Sequence, residues 1–225
     1  MTFSLILRDP ETGEFGSAIS SSSPAVAARC VNLADGVGGA HSQNVTDPRL
    51  GHQLIERLSA GDSAEQALAN VVATADPATI DYRQLLVLDA EGRAAVFSGG
   101  RALGNFGSAS RENAVAGGNM LASLDVLDAL VDTALSASGR IEERLYAALQ
   151  AAIAAGGEEG PVHSVGLSVV GNAGWRITDL RVDWHEDPIA ELGRVLEEWL
   201  PQRDDYVSRG LDPSAAPSYG VPGDE

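Results

Sequence analysis

The first residues of the chain alternate short apolar runs with a tight polar turn, the pattern of a β-hairpin. Residues 3–7 and 15–21 are the two predicted strands. The turn Asp9-Pro10-Glu11-Thr12-Gly13 joins them, with Pro fixing φ and Gly taking the left-handed position. Two more hairpins of this kind are predicted further along, with strands at 85–88 and 93–97, and at 164–170 and 175–182.

Longer segments carry apolar residues at helical spacing. One begins at Asp47-Pro48, since Pro suits the first turn of a helix, and Gly61 closes it. The next begins at Asp62 or Ser63, because Ser63 and Gln66 fit a capping box. The other predicted elements are helices at 123–135, 141–155 and 188–200, a short helical turn at 24–30, a strand at 37–43 and an extended piece at 113–116.

The resulting order is ββ, β, αα, ββ, αα, ββ, α. Hairpins alternating with helix pairs do not make a doubly wound parallel sheet. They favour an α+β fold, a four-layer αββα sandwich of two mainly antiparallel sheets. We expect one domain over residues 1–200. The polar residues 201–225, rich in Pro, Gly and Asp, are predicted to be a C-terminal extension, extended or partly disordered.

Charge and composition exclude several kinds of mechanism and partner. The net charge is −17, and all fifteen basic residues are Arg, so Schiff-base and lysine-base mechanisms are excluded. Such an acidic surface repels phosphate and anionic lipid, which makes nucleic acid and membranes unsuitable partners. The single cysteine, Cys30, excludes a disulfide framework. No leader, metal site or cofactor motif is recognised, and we expect a cytoplasmic protein that uses no cofactor.

Thr2 stands directly after the initiator Met1, at the start of the first predicted strand. Once Met1 is removed, a free α-amine would lie beside the Thr hydroxyl, so one residue would hold both nucleophile and base. The α-amine has a reference pKa near ~8, which suits a base at neutral pH. The alternative is an ordinary strand opener, because Thr favours strands.

Other polar residues are candidates for the same site. Ser4 shares a strand face with Thr2, so it either lines the cleft or fills the core. His41, Gln43 and Asn44 end a Gly-rich strand, where substrate contacts are common. Gln and Asn suit a neutral amide, since each offers a donor and an acceptor. His41 is either an acid–base group or a structural hydrogen-bonding residue.

Two further candidates lie later in the chain. Asn119 precedes a predicted helix and is either a cap or an oxyanion donor. His163 begins the third hairpin, where its side chain either faces the cleft or has a structural role.

Several of these segments together resemble the DUF1028 family. The resemblance covers roughly residues 2–200, with the motifs in the same order. They are Thr2-Phe3-Ser4-Leu5-Ile6, the turn 8–13, Val37-Gly38-Gly39-Ala40-His41-Ser42-Gln43-Asn44 through Pro48 and Gly51, Gly118-Asn119-Met120-Leu121, and residues 179–189. That family is assigned to the N-terminal-nucleophile (Ntn) hydrolase superfamily, which implies an αββα sandwich and amide hydrolysis by an N-terminal Thr, Ser or Cys.

The resemblance also suggests supporting residues. Ser21 and Ser22 end the return strand, where an Ntn enzyme commonly has residues that orient the nucleophile; the alternative is a solvated turn. An Ntn nucleophile usually has positive charge nearby, and Arg8 is the candidate to supply it, although Arg cannot act as a base.

Two functions are therefore carried forward. The first is an Ntn amidohydrolase that cleaves an amide, ureide or imide bond of a small molecule. The second is a non-catalytic binding protein on the same fold. We also expect a homodimer or a higher homo-oligomer, because the Ala-rich helices at 123–135 and 141–155 offer faces that pack closely against a second copy.

Overall fold

The computed structural model describes residues 1–221, which form ten strands and seven α-helices. The strands are Thr2–Arg8 (β1), Phe15–Ser21 (β2), Val31–Ala34 (β3), Gly38–Asn44 (β4), Arg83–Asp89 (β5), Ala94–Ser98 (β6), Gly107–Arg111 (β7), Ala114–Asn119 (β8), Ser164–Val170 (β9) and Arg176–Val182 (β10). The helices are Val26–Cys30 (α1), Pro48–Ser59 (α2), Ala64–Thr74 (α3), Asp125–Ser136 (α4), Ile141–Ala154 (α5), Pro188–Trp199 (α6) and Arg203–Leu211 (α7).

Two antiparallel sheets form the centre of the fold. The larger has six strands in the order β10-β9-β2-β1-β8-β7, and the smaller has four in the order β3-β4-β5-β6. Ile6, Leu86 and Val115 belong to the apolar cluster between the two sheets. Helices α4 and α5 pack on the outer face of the larger sheet, and α2 and α3 on the smaller. The predicted α+β, four-layer αββα sandwich is confirmed.

Local sequence signals account for the main helix starts. The Asp47 side chain accepts from the Arg49 backbone N–H at the start of α2. Ser63 and Gln66 form the expected capping box of α3. Asp187 caps α6 by accepting from the Ala190 N–H. Among residues 1–221, no helix is both long enough and apolar enough to cross a membrane.

The C-terminal segment corrects the expectation of an extended or disordered tail. Residues 203–211 form α7, and Arg203 at its start is 8% exposed. Its guanidinium pairs with Glu142, which is fully buried on α5, at 2.8 Å and also with Glu14. These ion pairs hold α7 against the body of the fold, where the polar sequence indicated no element. Residues 222–225 of the predicted extension lie outside the described residues.

Candidate active site

Strand β1 belongs to the larger sheet, and one of its faces is turned toward the smaller sheet. Side chains along the strand alternate, so Phe3, Leu5 and Leu7 join the helix-covered core. Ile6 faces the second sheet, and Ser4 on the same strand face donates a hydrogen bond across to Gln43 at 2.7 Å. Thr2 lies on this inner face as well, at the outer end of the strand. The expected sharing of one face by Thr2 and Ser4 is present.

Two hydroxyl groups converge on the peptide bond between Met1 and Thr2. The Thr2 Oγ1 donates to the Met1 carbonyl oxygen at 2.5 Å, and the Ser21 Oγ donates to the same oxygen at 2.5 Å. The two hydroxyl oxygens are 3.4 Å apart, and Ser21 also contacts the Ser23 hydroxyl at 2.9 Å. Thr2 is 5% exposed, so this cluster is largely shielded from water.

A buried amide network underlies the hydroxyl cluster. The Gln84 Oε1 accepts from Gln43 Nε2 at 2.9 Å and from Asn119 Nδ2 at 3.3 Å. The Gln84 Nε2 contacts the Ser98 hydroxyl and the carbonyl oxygens of Gly107 and Gly118 at 3.0–3.2 Å. Gln84 therefore ties the two sheets together beneath Thr2.

Sequence reasoning missed Gln84, because one polar residue at the head of an apolar strand is an ordinary strand end. Ser4, Gln43 and Asn119 are brought together as site candidates. Their side chains are fully or almost fully buried, at most 1% exposed, and are engaged with one another or with Gln84. They hold the strand of Thr2 in place, whereas Thr2 and Ser21 border the outer end of the network.

Glu158 is a charged group near this end of β1 that the structure reveals and the sequence did not. It lies in the Gly-rich loop 156–160 and is 5% exposed. Its Oε2 accepts from the Ser22 backbone N–H at 3.2 Å, while its Oε1 has no hydrogen-bond partner. Burial raises the pKa of Glu158 to about 7, although the nearby N-terminal amine and Ser22 act to lower it. In sequence, a Glu pair between glycines is typical of a solvated turn.

His41 is placed in the interior, which corrects its assignment as a substrate contact or acid–base group. It is completely buried, and its Nε2 lies 2.7 Å from the Ser17 hydroxyl between the sheets. Burial, with a smaller effect of Arg176, lowers the pKa of His41 to about 3. The imidazole is therefore neutral at ordinary pH, and it lies beside Ser17, which pairs with Ile6 on β1 and not with Thr2.

Arg8 is also corrected. It ends β1, six residues from Thr2, which in an extended strand is a separation of roughly 20 Å. Its guanidinium donates to Asn113 Oδ1 at 3.0 Å. At that distance most of its field is screened, so Arg8 cannot supply positive charge to Thr2.

The remaining candidates border the site. Asn44 donates to the Tyr82 carbonyl oxygen at 2.6 Å and accepts from the Leu103 N–H at 3.4 Å, so it anchors neighbouring loops. Ser22 binds Glu158, as described above. The His163 N–H donates to the Ser21 carbonyl oxygen at 2.8 Å, and its ring stacks on exposed Trp184 at 4.4 Å. The main chain of His163 therefore adjoins the hydroxyl cluster, whereas its ring packs on Trp184.

The buried imidazole leads to a prediction about acid stability. The unfolded chain protonates His41 below about pH 6.5, but the folded protein does so only near pH 3. The unfolded state therefore binds more protons in this window, and stability falls as pH falls. Between about pH 3 and pH 6.5, His41 adds up to about 1.4 kcal/mol per pH unit to the dependence of the free energy of unfolding on pH. We expect this contribution to be absent in His41→Gln.

Urea unfolding at a series of pH values measures this slope. His52→Gln, which changes an exposed His on α2, is the control and should keep the parent's slope. An unchanged slope in His41→Gln would show that the buried imidazole is not the acid-sensitive group.

Comparisons with known proteins agree with this architecture. A family model described as "Family of unknown function (DUF1028)" matches residues 2–192. The crystal structure of protein SPO2555 from Silicibacter pomeroyi, also of DUF1028, has 29% identity and a TM-score of 0.85, over 92% of this chain and 90% of that one. The resemblance noted in the sequence is thereby confirmed at the level of the family.

Two more distant structures also align. They are Anbu (ancestral β-subunit) from Yersinia bercovieri and an Anbu (Gly-1) mutant from Hyphomicrobium sp. strain MC1. Each is 10% identical, with TM-scores of 0.43 and 0.44, over 89% and 90% of this chain and 95% and 96% of theirs. No curated protein matches the chain.

Proposed function

The chain belongs to the DUF1028 family, and we propose that it is an Ntn-type amidohydrolase that cleaves an amide, ureide or imide bond of a small molecule. Thr2 is the proposed nucleophile after Met1 is removed. One observation carries the proposal: the hydroxyls of Thr2 and Ser21 converge on a single carbonyl oxygen at the start of β1. The superfamily itself is implied by the family resemblance and is consistent with the αββα layers.

The arrangement suits acyl transfer once Met1 has left. The space of the Met1 carbonyl then becomes available to a substrate carbonyl, with the Ser21 hydroxyl as a donor to its oxygen. We assign this donor role to Ser21 in place of Asn119, whose Nδ2 is engaged by Gln84. Asn119 is left with the role of positioning the end of the strand.

The proposed reaction has two steps. The Thr2 Oγ1 bonds to the substrate carbonyl carbon while its proton passes to the Thr2 α-amine. The C–N bond then breaks, the leaving nitrogen takes that proton, and an ester to Thr2 remains. Water next attacks the ester, gives one proton to the α-amine and releases the carboxylic acid, after which the proton returns to the Thr2 oxygen.

The N-terminus itself provides a direct test. Intact-mass spectrometry of untagged protein should show loss of Met1. A variant with one Gly inserted before Thr2, its retention proved by mass, is expected to lose activity, because its α-amine is displaced from the hydroxyl. Ammonia release from a panel of amides and ureides is the readout. Normal turnover by the Gly-extended protein, or a parent that retains Met1, would contradict N-terminal chemistry.

A second function is favoured by one observation. Among residues 1–221, no Arg side chain hydrogen-bonds to Thr2, Ser21 or Asn119, and the chain has no Lys to place there. Arg29 reaches the cluster only indirectly, through the Ser23 hydroxyl that contacts Ser21. A site with no cation bound directly to the Thr2 hydroxyl fits a non-catalytic small-molecule-binding protein on the same fold. That function predicts ligand binding that is indifferent to the Gly extension, with no ammonia released from any member of the panel.

A further inference from the structure

A cleft of about 320 Å³ opens beside the N-terminus, between the loop 156–162 and the start of α6. Its apolar wall includes Ile153, Val162 and Ile189. Its charged lining consists of carboxylates alone, from Glu158, Glu186 and Asp187. We refer to it as the acidic cleft. Its volume is that of a small-molecule site.

The acidic cleft adjoins the proposed nucleophile. The Met1 side chain packs on Gly160 of the cleft lining, so closely that a Cβ on that glycine would lie 3.0 Å from the Met1 terminal methyl. Glu158 meanwhile binds the N–H of Ser22, the residue after Ser21. Removal of Met1 would therefore uncover Gly160 and widen the cleft at that residue.

The carboxylates of the acidic cleft have no arginine partner, although the α-amine of Met1 is near Glu158. No Arg of residues 1–221 forms an ion pair with Glu158, Glu186 or Asp187. Asp187 uses one oxygen to cap α6, which offsets the positive end of that helix. Glu158 is only 5% exposed, and its Oε1 has no hydrogen-bond partner. A buried oxygen of this kind is costly unless something binds it.

We propose that the acidic cleft binds a cationic group, an alkylammonium, carried by the substrate whose amide is cleaved at Thr2. An ammonium group supplies up to three N–H donors, one for the Glu158 Oε1 and others for Glu186 or Asp187. Its alkyl part packs against the apolar wall. The claim that the cation is part of the substrate rests on the proposed amidohydrolase function. The binding of a cation to the acidic cleft can be measured without turnover.

The α-amine of Met1 is close enough to lower the pKa of Glu158. Once Met1 is removed, the α-amine of Thr2 is therefore the competing partner for this carboxylate. If Glu158 serves only to hold the amine of Thr2, its loss should slow the hydrolysis of neutral and cationic amides equally. If it recognises the substrate, its loss should weaken the binding of a cation and leave a neutral isostere unaffected. The two roles therefore separate in a matched pair of ligands.

The test uses n-butylammonium and its neutral counterpart n-butanol, titrated at pH 8 into the full chain with Met1 removal verified by mass. At this pH Glu158 is ionised, and an alkylamine with a pKa near ~10 remains charged. Chemical-shift changes of amides in residues 156–162 and 186–189 report binding. We expect n-butylammonium to bind at least about tenfold more tightly than n-butanol, and added salt to weaken it.

Variants then localise the effect. Glu186→Gln, at an exposed position, and Glu158→Gln should each weaken n-butylammonium binding about three- to tenfold. Glu65→Gln is the matched control, since it makes the same charge change on exposed α3 in the opposite helical layer. Equal binding of the two ligands, or n-butylammonium affinity unchanged in both cleft variants, would overturn the proposal.

The outcome is separable from that of the proposed function. Thr2→Ala should bind n-butylammonium like the parent, because the Thr2 hydroxyl is not part of the acidic cleft. Selective cation binding by a parent that hydrolyses no amide would support the cleft as a ligand site while defeating the amidohydrolase. Hydrolysis that favours neutral over cationic amides would overturn the cleft's role and keep the enzyme.

Discussion

Thr2→Ala is expected to reduce amide hydrolysis by more than about 10³-fold, because it removes the only atom proposed to attack the substrate. Thr2→Ser should retain measurable activity, since it keeps both the hydroxyl and the α-amine. Both variants should fold, because the Thr2 side chain contacts Met1 and Ser21 and is not part of the apolar core. Ammonia release and thermal unfolding, with Met1 removal checked by mass, measure the two effects.

A Ser21→Ala variant tests the proposed oxyanion donor separately from the nucleophile. Loss of one oxyanion donor is expected to cost about 10²-fold, less than loss of the nucleophile. Parent-like turnover by Thr2→Ala would transfer the attack to another group, and Ser4 is then a poor alternative because its hydroxyl is buried and bonded to Gln43.

Gln84→Ala is expected to lower the free energy of unfolding by about 3–5 kcal/mol, the largest stability effect that we predict for a polar residue. It leaves two buried donors unpaired, on Gln43 and Asn119, and opens a cavity between the sheets. Urea unfolding at neutral pH measures the change.

Gln53→Ala is the matched control, because Gln53 is exposed on α2; we expect a change within about 0.5 kcal/mol. A loss below about 1 kcal/mol in Gln84→Ala would mean that the network relaxes or takes up water, and that Gln84 does not join the two sheets. If the network positions Thr2, activity should fall in Gln84→Ala even at temperatures where the variant is fully folded.

Local signals were sufficient for most of the fold. The three hairpins and the caps at Asp47, Ser63 and Asp187 follow from turn chemistry and short-range hydrogen bonds. Two edge strands, β3 and β7, were missed. In β7 the sequence Gly-Ser-Ala-Ser-Arg gives only a weak strand signal, because its half-buried residues, Gly107 and Ala109, are small and the other three are exposed and polar.

Sequence alone also determined that Thr2 and Ser4 share a strand face, that Ser21 ends the returning strand, and which family the chain belongs to. These are properties of residues near one another along the chain, or of motifs in order. Only the tertiary structure decided which polar residues are neighbours. It placed Gln84 and Glu158 near the end of β1 where Thr2 lies, against Asn119 and Ser22, and it placed Arg8 and His41 elsewhere. The physical reason is that pairing between sheets depends on register across long stretches of chain, and a residue's pKa depends on its burial; neither is a property of the local sequence.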